Sequence, residues 1–331
     1  MREADIRPAA LLDRLFALLK QDAERLVLRR AEFILVRCPM CAADAENLAF
    51  TKEGFDYNLC PACGSLYASP RPAPAAQADY AINSEAVKFW STHFYRQTAE
   101  ARREMIFRPR AALVADFVKH GLVERRQVFA DIGAGYGLFM QELATLNVFK
   151  RILGVEPDSR LARICRARGF EVIEKWAEDI AEGEVAADFA AAYEVLEHVF
   201  DPLTFLRACK RMLQPGGVLL LTTLSIDGFD LQVLWEHSRS ISPPQHLNLP
   251  SVSGVKKLVE RSGMEVIEIS TPGQLDVDIV RNMIYAHPAL VVARFARIIA
   301  LADDETRRDF QAFLQIHRLS SHLRCIIRRP R

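Results

Sequence analysis

The chain has 331 residues, of which 43 are Lys or Arg and 42 are Asp or Glu, so its formal net charge is +1. This near balance argues against a whole-protein grip on nucleic acid or on an anionic membrane, both of which need a basic excess. Half of the residues are hydrophobic, which indicates a globular protein of roughly two domains at about 150 residues per domain. Arg294 and Arg297 interrupt the apolar stretch 290–301, so no membrane span is expected. The charged N-terminus does not have the pattern of a secretory signal, and we expect a cytoplasmic protein.

The first 36 residues form a leading segment in which residues 8–30 predict an amphipathic helix. Leucines and a phenylalanine recur at helical spacing between charged residues. The apolar stripe of this helix needs a partner, which is the body of the protein or a second subunit. A homodimer is therefore one expected assembly.

Two C-x2-C pairs lie close together, and they predict a zinc ribbon over residues 37–69. Cys38 and Cys41 form the first pair, and Cys60 and Cys63 form the second after 18 intervening residues. This spacing is typical of four thiolates that bind one tetrahedral Zn²⁺ ion. Residues 47–59 between the pairs predict a hairpin that turns near Gly54. Because four thiolates leave no open coordination position, we expect a structural zinc ion.

A proline-rich stretch begins at Ser69 and marks the clearest domain boundary, since each proline fixes its own φ and restrains the residue before it. Residues 70–127 then predict a linker and a helical cap. From Val128 onward, short apolar runs alternate with helical segments. This alternation predicts a mostly parallel sheet with helices on both faces, which is a doubly wound α/β domain over 128–331. Its strands are expected at 128–132, 151–155, 171–173, 188–193, 218–223 and 265–270.

A glycine-rich turn follows the first of these strands and leads directly into a helix. Gly133, Gly135 and Gly137 permit close approach of a ligand to the backbone. The second strand ends in Glu156, where an acidic group accepts hydrogen bonds from ribose hydroxyls. These two features are compatible with a dinucleotide or with another adenosine ligand.

Four segments, taken in order, resemble the class I S-adenosylmethionine-dependent methyltransferases. They are Asp131–Gly137, Glu156 at the second strand end, Tyr193–Pro202 (YEVLEHVFDP) and Leu213–Gly217 (LQPGG). The resemblance covers about residues 106–270 and implies S-adenosylmethionine as cofactor. It also implies a Rossmann-like fold of seven strands, the last of which is antiparallel and corresponds to residues 320–329.

The resemblance assigns the cofactor-binding residues by position. Asp131 and the glycine turn with Ala134 would surround the methionine part, and Glu156, followed by Pro157, would hold the ribose diol. Trp176, Ala177 and Glu178 follow the third strand, where the family contacts adenine. Members commonly have an acidic residue in place of Trp176, so ring stacking and a backbone amide would replace that contact here. Tyr193 and Glu194 would flank the methyl donor.

A base that removes the acceptor's proton must lie at the carboxyl edge of the sheet, and three histidines in the loops that lead there are candidates. His246 is the first choice because a histidine is neutral and proton-accepting near neutral pH, and His198 and His237 follow. Tyr193 is a further catalytic candidate. Residues at about 275–319 predict a helical insertion placed over the acceptor like a lid.

The layout is similar to zinc-ribbon-bearing enzymes such as sugar C-methyltransferases and enzymes of polysaccharide or natural-product assembly. We therefore expect methylation, on oxygen or carbon, of a small-molecule acceptor such as a sugar or sugar nucleotide. One alternative is an RNA-base methyltransferase that uses the arginine-rich C-terminal segment, although acidic residues surround the ribbon and no Asn-Pro-Pro-Tyr motif follows strand four. The other alternative is a noncatalytic binding protein that has retained the cofactor fold.

Overall fold

The computed structural model describes residues 2–44 and 47–331. Met1, Ala45 and Glu46, which belong to the predicted leading segment and ribbon, lie outside the described residues. The helices are α1 (Glu3–Ile6), α2 (Ala9–Val27), α3 (Pro74–Asn83), α4 (Glu85–Phe89), α5 (Tyr95–Arg102), α6 (Arg108–Lys119), α7 (Leu138–Thr145), α8 (Ser159–Ala167), α9 (Pro202–Met212), α10 (Phe229–Leu234), α11 (Val252–Ser262), α12 (Asp276–Ala286), α13 (Arg294–Ala300) and α14 (Asp304–Ile316). The strands are β1 (Leu48–Lys52), β2 (Phe55–Leu59), β3 (Leu66–Ala68), β4 (Val128–Ile132), β5 (Arg151–Val155), β6 (Glu171–Ile173), β7 (Ala187–Tyr193), β8 (Leu213–Leu224), β9 (Asn248–Leu249), β10 (Glu265–Ser270) and β11 (His322–Arg328).

Seven strands form one sheet in the order β10-β11-β8-β7-β4-β5-β6. The pairs β4–β5, β4–β7, β5–β6 and β7–β8 are parallel. β11 runs antiparallel to β8, because Arg329 pairs with Gly216 and Gly217 whereas Ser321 pairs with Ser225. The parallel centre and the antiparallel last strand confirm the predicted α/β fold.

The chain divides into two compact units. Unit 1 comprises Met1–Ala81, Thr223–Lys257 and Ile269–Arg324, and unit 2 comprises Ile82–Thr222, Leu258–Glu268 and Cys325–Arg331. The predicted segment boundaries at 36, 69 and 127 stay a prediction. Within the described residues, no helix has both the length and the hydropathy needed to span a membrane.

Unit 2 has an aromatic core beneath the glycine-rich turn between β4 and α7. Phe129 on β4, Phe139 on α7 and Phe189 on β7 pack together with their ring centroids 5.7–5.8 Å apart around Phe129. Val114 and Val118 of α6 are fully buried in the same cluster. These apolar contacts hold α6 and α7 against the strands, so the turn between β4 and α7 starts from a rigid base.

Unit 1 contains an antiparallel sheet of four strands in the order β1-β2-β3-β9. β1 and β2 form the hairpin that the sequence predicts, with Glu53 and Gly54 in its turn. β9 comes from the long connection after β8 and pairs with β3. The guanidinium of Arg71 is completely buried and joins these strands by donating to the Ala68 carbonyl at 2.9 Å and to Asn248 Oδ1 at 3.0 Å.

Candidate active site

The turn after β4 is held open by its glycines. The amides of Gly133 and Ala134 donate to the carbonyl of Val155 at 2.8 and 3.3 Å, which ties the turn to the end of β5. Gly133, Gly135 and Gly137 all have positive φ. A Cβ atom at Gly133 would approach Val195 Cγ2 to 2.8 Å, whereas a Cβ atom at Gly135 would meet no atom within 4 Å. Gly135 therefore faces open space that a ligand can occupy.

Glu156 is buried at the end of β5 and its carboxylate is already engaged by backbone amides. Oε2 accepts a hydrogen bond from the Gly135 amide at 2.8 Å, and Oε1 accepts one from the Asp158 amide at 2.9 Å. Burial raises the pKa of Glu156 to about 7, although the two amide hydrogen bonds oppose this shift. Each carboxylate oxygen retains a second lone pair, so ribose hydroxyls can still donate to it.

Asp131 is the second buried carboxyl group of the site, and its side chain is 3% exposed. Burial, followed by the negative charge of Glu156, raises the pKa of Asp131 to about 7, and Arg110 acts in the opposite direction. Two carboxyl groups with raised pKa values at one edge of a parallel sheet are typical of a ligand site. A ligand that supplies a cation and hydroxyl donors would satisfy both.

Pro157 and the segment around Ala177 follow neighbouring strands of the same unit. Pro157 precedes α8, whose first turn is capped by Asp158 through a 2.8 Å hydrogen bond from the Arg160 amide. Trp176 precedes the single helical turn Ala177–Asp179, in which Ala177 is buried. Burial raises the pKa of Glu178, whose carbonyl accepts a hydrogen bond from Arg211 at 3.0 Å.

Tyr193 and Glu194 lie at the carboxyl end of β7, where Arg110 contacts both of them. The Arg110 guanidinium lies 4.4 Å from the centroid of the Tyr193 ring, and its Nη2 donates to Glu194 Oε1 at 3.1 Å. Thr222 Oγ1 donates to the same carboxylate oxygen at 2.6 Å. The backbone of Glu194 has φ +56°, a conformation that non-glycine residues adopt at functional sites when neighbouring contacts enforce it.

Neither Arg110 nor the role of Tyr95 could be predicted from the motifs. The Tyr95 ring stacks on Tyr136 of the glycine turn with centroids 4.5 Å apart and an interplanar angle of 7°. Tyr95 lies within the predicted helical cap but belongs to no motif. Arg110 belongs to no motif, so no local signal could have distinguished it from the other arginines.

The histidine candidates lie in different units. His198 belongs to unit 2, within a loop that continues until α9 begins at Pro202. His237 and His246 belong to unit 1, and His237 has an exposed side chain. His246 Nδ1 lies 2.7 Å from the Ser240 carbonyl oxygen and 3.1 Å from Ser242 Oγ. A carbonyl oxygen can only accept, so the proton of the neutral ring is on Nδ1 and Nε2 is the basic nitrogen.

The four cysteines of the predicted ribbon converge in unit 1. Their Sγ atoms all lie within 4.8 Å of one another, and the pairs Cys38–Cys63 and Cys41–Cys60 are each 3.6 Å apart. A tetrahedral zinc ion with Zn–S bonds of about 2.3 Å places its sulfur atoms about 3.8 Å apart. The donor set and its dimensions therefore fit Zn²⁺.

A methyltransferase-domain family model matches residues 100–269, just over half of the chain. A ubiquinone biosynthesis O-methyltransferase of Xanthomonas oryzae pv. oryzae (strain PXO99A) is 34% identical over 102 residues, which are 29% of this chain and 42% of that protein. A protein of the same name from Cereibacter sphaeroides (strain ATCC 17025) is 29% identical over 178 residues, 47% of this chain and 71% of that protein. The chain thus spans less than half the length of the first of these relatives.

Among solved structures, the plantazolicin methyltransferase BpumL in complex with SAH is similar at a TM-score of 0.49 and 12% identity, covering 77% of this chain and 94% of that chain. An S-adenosylmethionine-dependent methyltransferase from Thermotoga maritima gives a TM-score of 0.44 at 19% identity, covering 71% and 97% of the two chains. The family match coincides with the strands that carry the glycine turn, Glu156 and Glu194. The chain therefore belongs to the methyltransferase-domain family, within the class I S-adenosylmethionine-dependent methyltransferases.

Proposed function

We propose that the protein transfers the methyl group of S-adenosylmethionine to a small-molecule acceptor. The observation that carries this proposal is the open glycine turn between two buried carboxyl groups, within a chain of the methyltransferase-domain family. The names of the relatives favour methylation of oxygen on a small molecule. A sugar or sugar nucleotide is the acceptor class that we propose for this chain, and carbon remains the alternative methylated atom.

The buried carboxyl groups suit the polar parts of S-adenosylmethionine. Glu156 would accept hydrogen bonds from the ribose diol, and Asp131 would face the charged amino group of the methionine part. Both interactions favour ionised carboxylates. In the cofactor-free protein the pKa of each carboxyl group is about 7, so each is about half ionised at neutral pH. Ala134 and the three glycines would line the turn beside the methionine part, and Pro157, Trp176, Ala177 and Glu178 would surround the adenine.

The cofactor supplies an electrophilic sulfonium methyl group, so the protein has to orient the acceptor and, for a hydroxyl, remove its proton. Arg110 fixes Tyr193 and Glu194 relative to each other through its stacking and its ion pair. We assign proton removal to His246, because the Ser240 carbonyl leaves Nε2 as its basic atom. His198, His237 and Tyr193 rank behind it as catalytic candidates.

We assign a structural role to zinc in the ribbon. Four thiolates complete a tetrahedral shell, so a bound ion has no position for substrate or water. Tight backbone turns support the two pairs: the Ala42 amide donates to the Cys38 carbonyl at 2.8 Å, and the Gly64 amide donates to the Cys60 carbonyl at 2.7 Å. The ion would stabilise the β1–β3 region, whose described strands are short.

Substitution of Gly135 by Arg should abolish cofactor binding. The new side chain would occupy the open space beside the turn, so we expect isothermal titration with S-adenosylhomocysteine to show at least a hundredfold loss of affinity. Gly183→Arg is the matched control, because Gly183 also has positive φ and open space around it but lies outside the site. Equal affinities of Gly135→Arg and the wild-type protein would refute the site.

Cofactor affinity should fall as the pH is lowered from 8 to 6. Binding favours ionised Asp131 and Glu156, whose apo pKa values are about 7, so the loss should be about tenfold for each carboxyl group that binding ionises. Glu156→Gln should bind more weakly and show a flatter pH profile, whereas exposed Glu184→Gln should match the wild type.

The same two groups should affect the stability of the apo protein in the opposite direction. Their folded pKa values lie above the unfolded ones, so their contribution to the free energy of unfolding is largest at low pH and falls as pH rises to about 7.

For the binding measurement, a cofactor affinity that is higher at pH 6 than at pH 8 would contradict the assignment of both carboxyl groups.

Label from S-adenosyl-[methyl-³H]methionine should appear in a sugar or sugar-nucleotide panel and not in total RNA. The chain as a whole carries almost no net charge, which disfavours a long polyanion as acceptor. Label found only in RNA would overturn the proposed acceptor class. No label in any acceptor, despite cofactor binding, would favour a noncatalytic protein.

With an acceptor identified, His246→Ala should lower the turnover number by about a hundredfold or more while leaving cofactor affinity intact, since a general base acts only in the transfer step. Exposed His120→Ala of unit 2 is the control variant. An unchanged turnover number for His246→Ala would reject His246 as the base.

The purified protein should contain about one zinc ion per chain by plasma mass spectrometry. Cys38→Ser with Cys41→Ser should remove the zinc and lower the melting temperature, because the ligands stabilise the fold only when the metal joins them. Cys209→Ala, which changes a buried single cysteine outside the cluster, should retain the zinc. Folded wild-type protein without zinc would refute the metal site.

A further inference from the structure

A cavity of about 950 Å³ lies within unit 1, and neither the proposed cofactor-binding residues nor the four clustered cysteines line it. Its wall is formed by α2, the end of β1, the segment 236–243 and the connection between α12 and α13. The volume is in the range of pockets that hold small organic ligands. The cavity also combines an apolar surface with several charged side chains, which is the composition of a binding site rather than of a packing defect.

Lys52 places a poorly solvated cation in the wall of this cavity. Its Nζ donates to the carbonyl of Ser238 at 2.7 Å. Burial lowers the pKa of Lys52 to about 8, and the nearby carboxylates of Glu53 and Glu236 only partly oppose this effect. The charged amine is therefore less stable here than in water, and an anion beside it would remove that penalty.

Arg239 is a second cation of the wall, but it is already neutralised. Its guanidinium lies 5.3 Å from the centroid of the Phe16 ring and pairs with Asp13 Oδ1 at 3.0 Å. Lys20, the third cation of the wall, is exposed to solvent, so Lys52 is the cation that most needs an additional negative partner. Beside these charges, Phe16, Ile241 and Met283 offer apolar surface to the cavity.

We propose that this cavity binds a small organic anion, a carboxylate or phosphate attached to a compact apolar or aromatic body. The anion pairs with Lys52, and the apolar body packs against Phe16 and Met283. A ligand that had only a charge, or only apolar surface, would match just part of the cavity wall. This inference goes beyond the proposed function, since the cavity contains none of the residues assigned to S-adenosylmethionine; His237, which ranks behind His246 as a catalytic candidate, also lines it.

Phenyl phosphate and benzoate are suitable probes, with inorganic phosphate and phenol as the separate halves of the ligand. We expect isothermal titration of the full chain at pH 8 to detect phenyl phosphate or benzoate, and to give at least tenfold weaker binding of either half. The stronger of the two whole probes distinguishes a phosphate from a carboxylate ligand. Absence of binding by both, in protein that still binds S-adenosylhomocysteine, would overturn this inference and leave the proposed function intact.

Proton uptake provides a second readout. An anion that pairs with Lys52 raises its pKa, so binding at pH 8 should take up about half a proton per ligand, measured from binding enthalpies in buffers of different ionisation enthalpy. The other titratable or charged groups of the wall are Lys20, Glu53, Glu236, His237, Arg239 and His287. Lys52→Arg separates them from Lys52, because arginine keeps the positive charge but remains protonated at this pH.

We expect Lys52→Met to lose at least tenfold in affinity together with the proton uptake, and Lys52→Arg to retain binding without the uptake. Lys256→Met, which removes an exposed lysine of the same unit, should behave as the wild type. Leu290→Trp, which fills the cavity from its apolar side, should abolish binding even if Lys52→Met fails to fold. Unchanged probe affinity in Lys52→Met or in Leu290→Trp would overturn the assignment.

Discussion

The cofactor-type site depends on keeping two carboxyl groups, Asp131 and Glu156, buried at the carboxyl edge of the parallel sheet. Burial alone would favour the protonated form of both, and the negative charge of Glu156 further raises the pKa of Asp131. Hydrogen bonds from two backbone amides to the Glu156 carboxylate offset part of this cost without using any other side chain. With pKa values of about 7, each carboxyl group is about half ionised at neutral pH, and a ligand that brings hydroxyl donors and a positive charge favours the ionised form of both.

The same contacts set the shape of the glycine turn. The Gly135 amide can reach Glu156 only because the turn takes three positive φ values, and the Val155 carbonyl holds the start of the turn against β5. From the other side, Tyr95 stacks on Tyr136. The binding surface is thus fixed by β5 and α5 before any ligand arrives, which reduces the ordering cost of binding.

The sequence predicted the strands and the clustering of the four cysteines well because their signals are local. The apolar runs of β4, β5 and β6 coincide with the expected strands, and the hairpin around Gly54 and the clustered cysteines are where spacing placed them. β9 was not predicted, since a strand of two residues has no periodicity and gains its partner from β3, far away in the sequence. Arg71 and Arg110 were missed for the same physical reason, because their roles arise from tertiary contacts of side chains that are ordinary in sequence.

Within unit 1, the ribbon is hydrogen-bonded to the long connection after β8. Ser251, two residues after β9, donates its hydroxyl to the Cys63 carbonyl and its amide to Ser65 Oγ at 3.0 Å, so one cysteine pair is bonded to the end of the long connection after β8. Earlier in that connection, the Tyr57 hydroxyl of β2 donates to the carbonyl of His246 at 2.7 Å. The ribbon therefore restrains this loop at two points, the carbonyl of His246 and the residue Ser251. A metal ion that rigidifies the cysteine pairs would stabilise the loop as well, since the hydrogen bonds that hold His246 and Ser251 have their other ends in the ribbon.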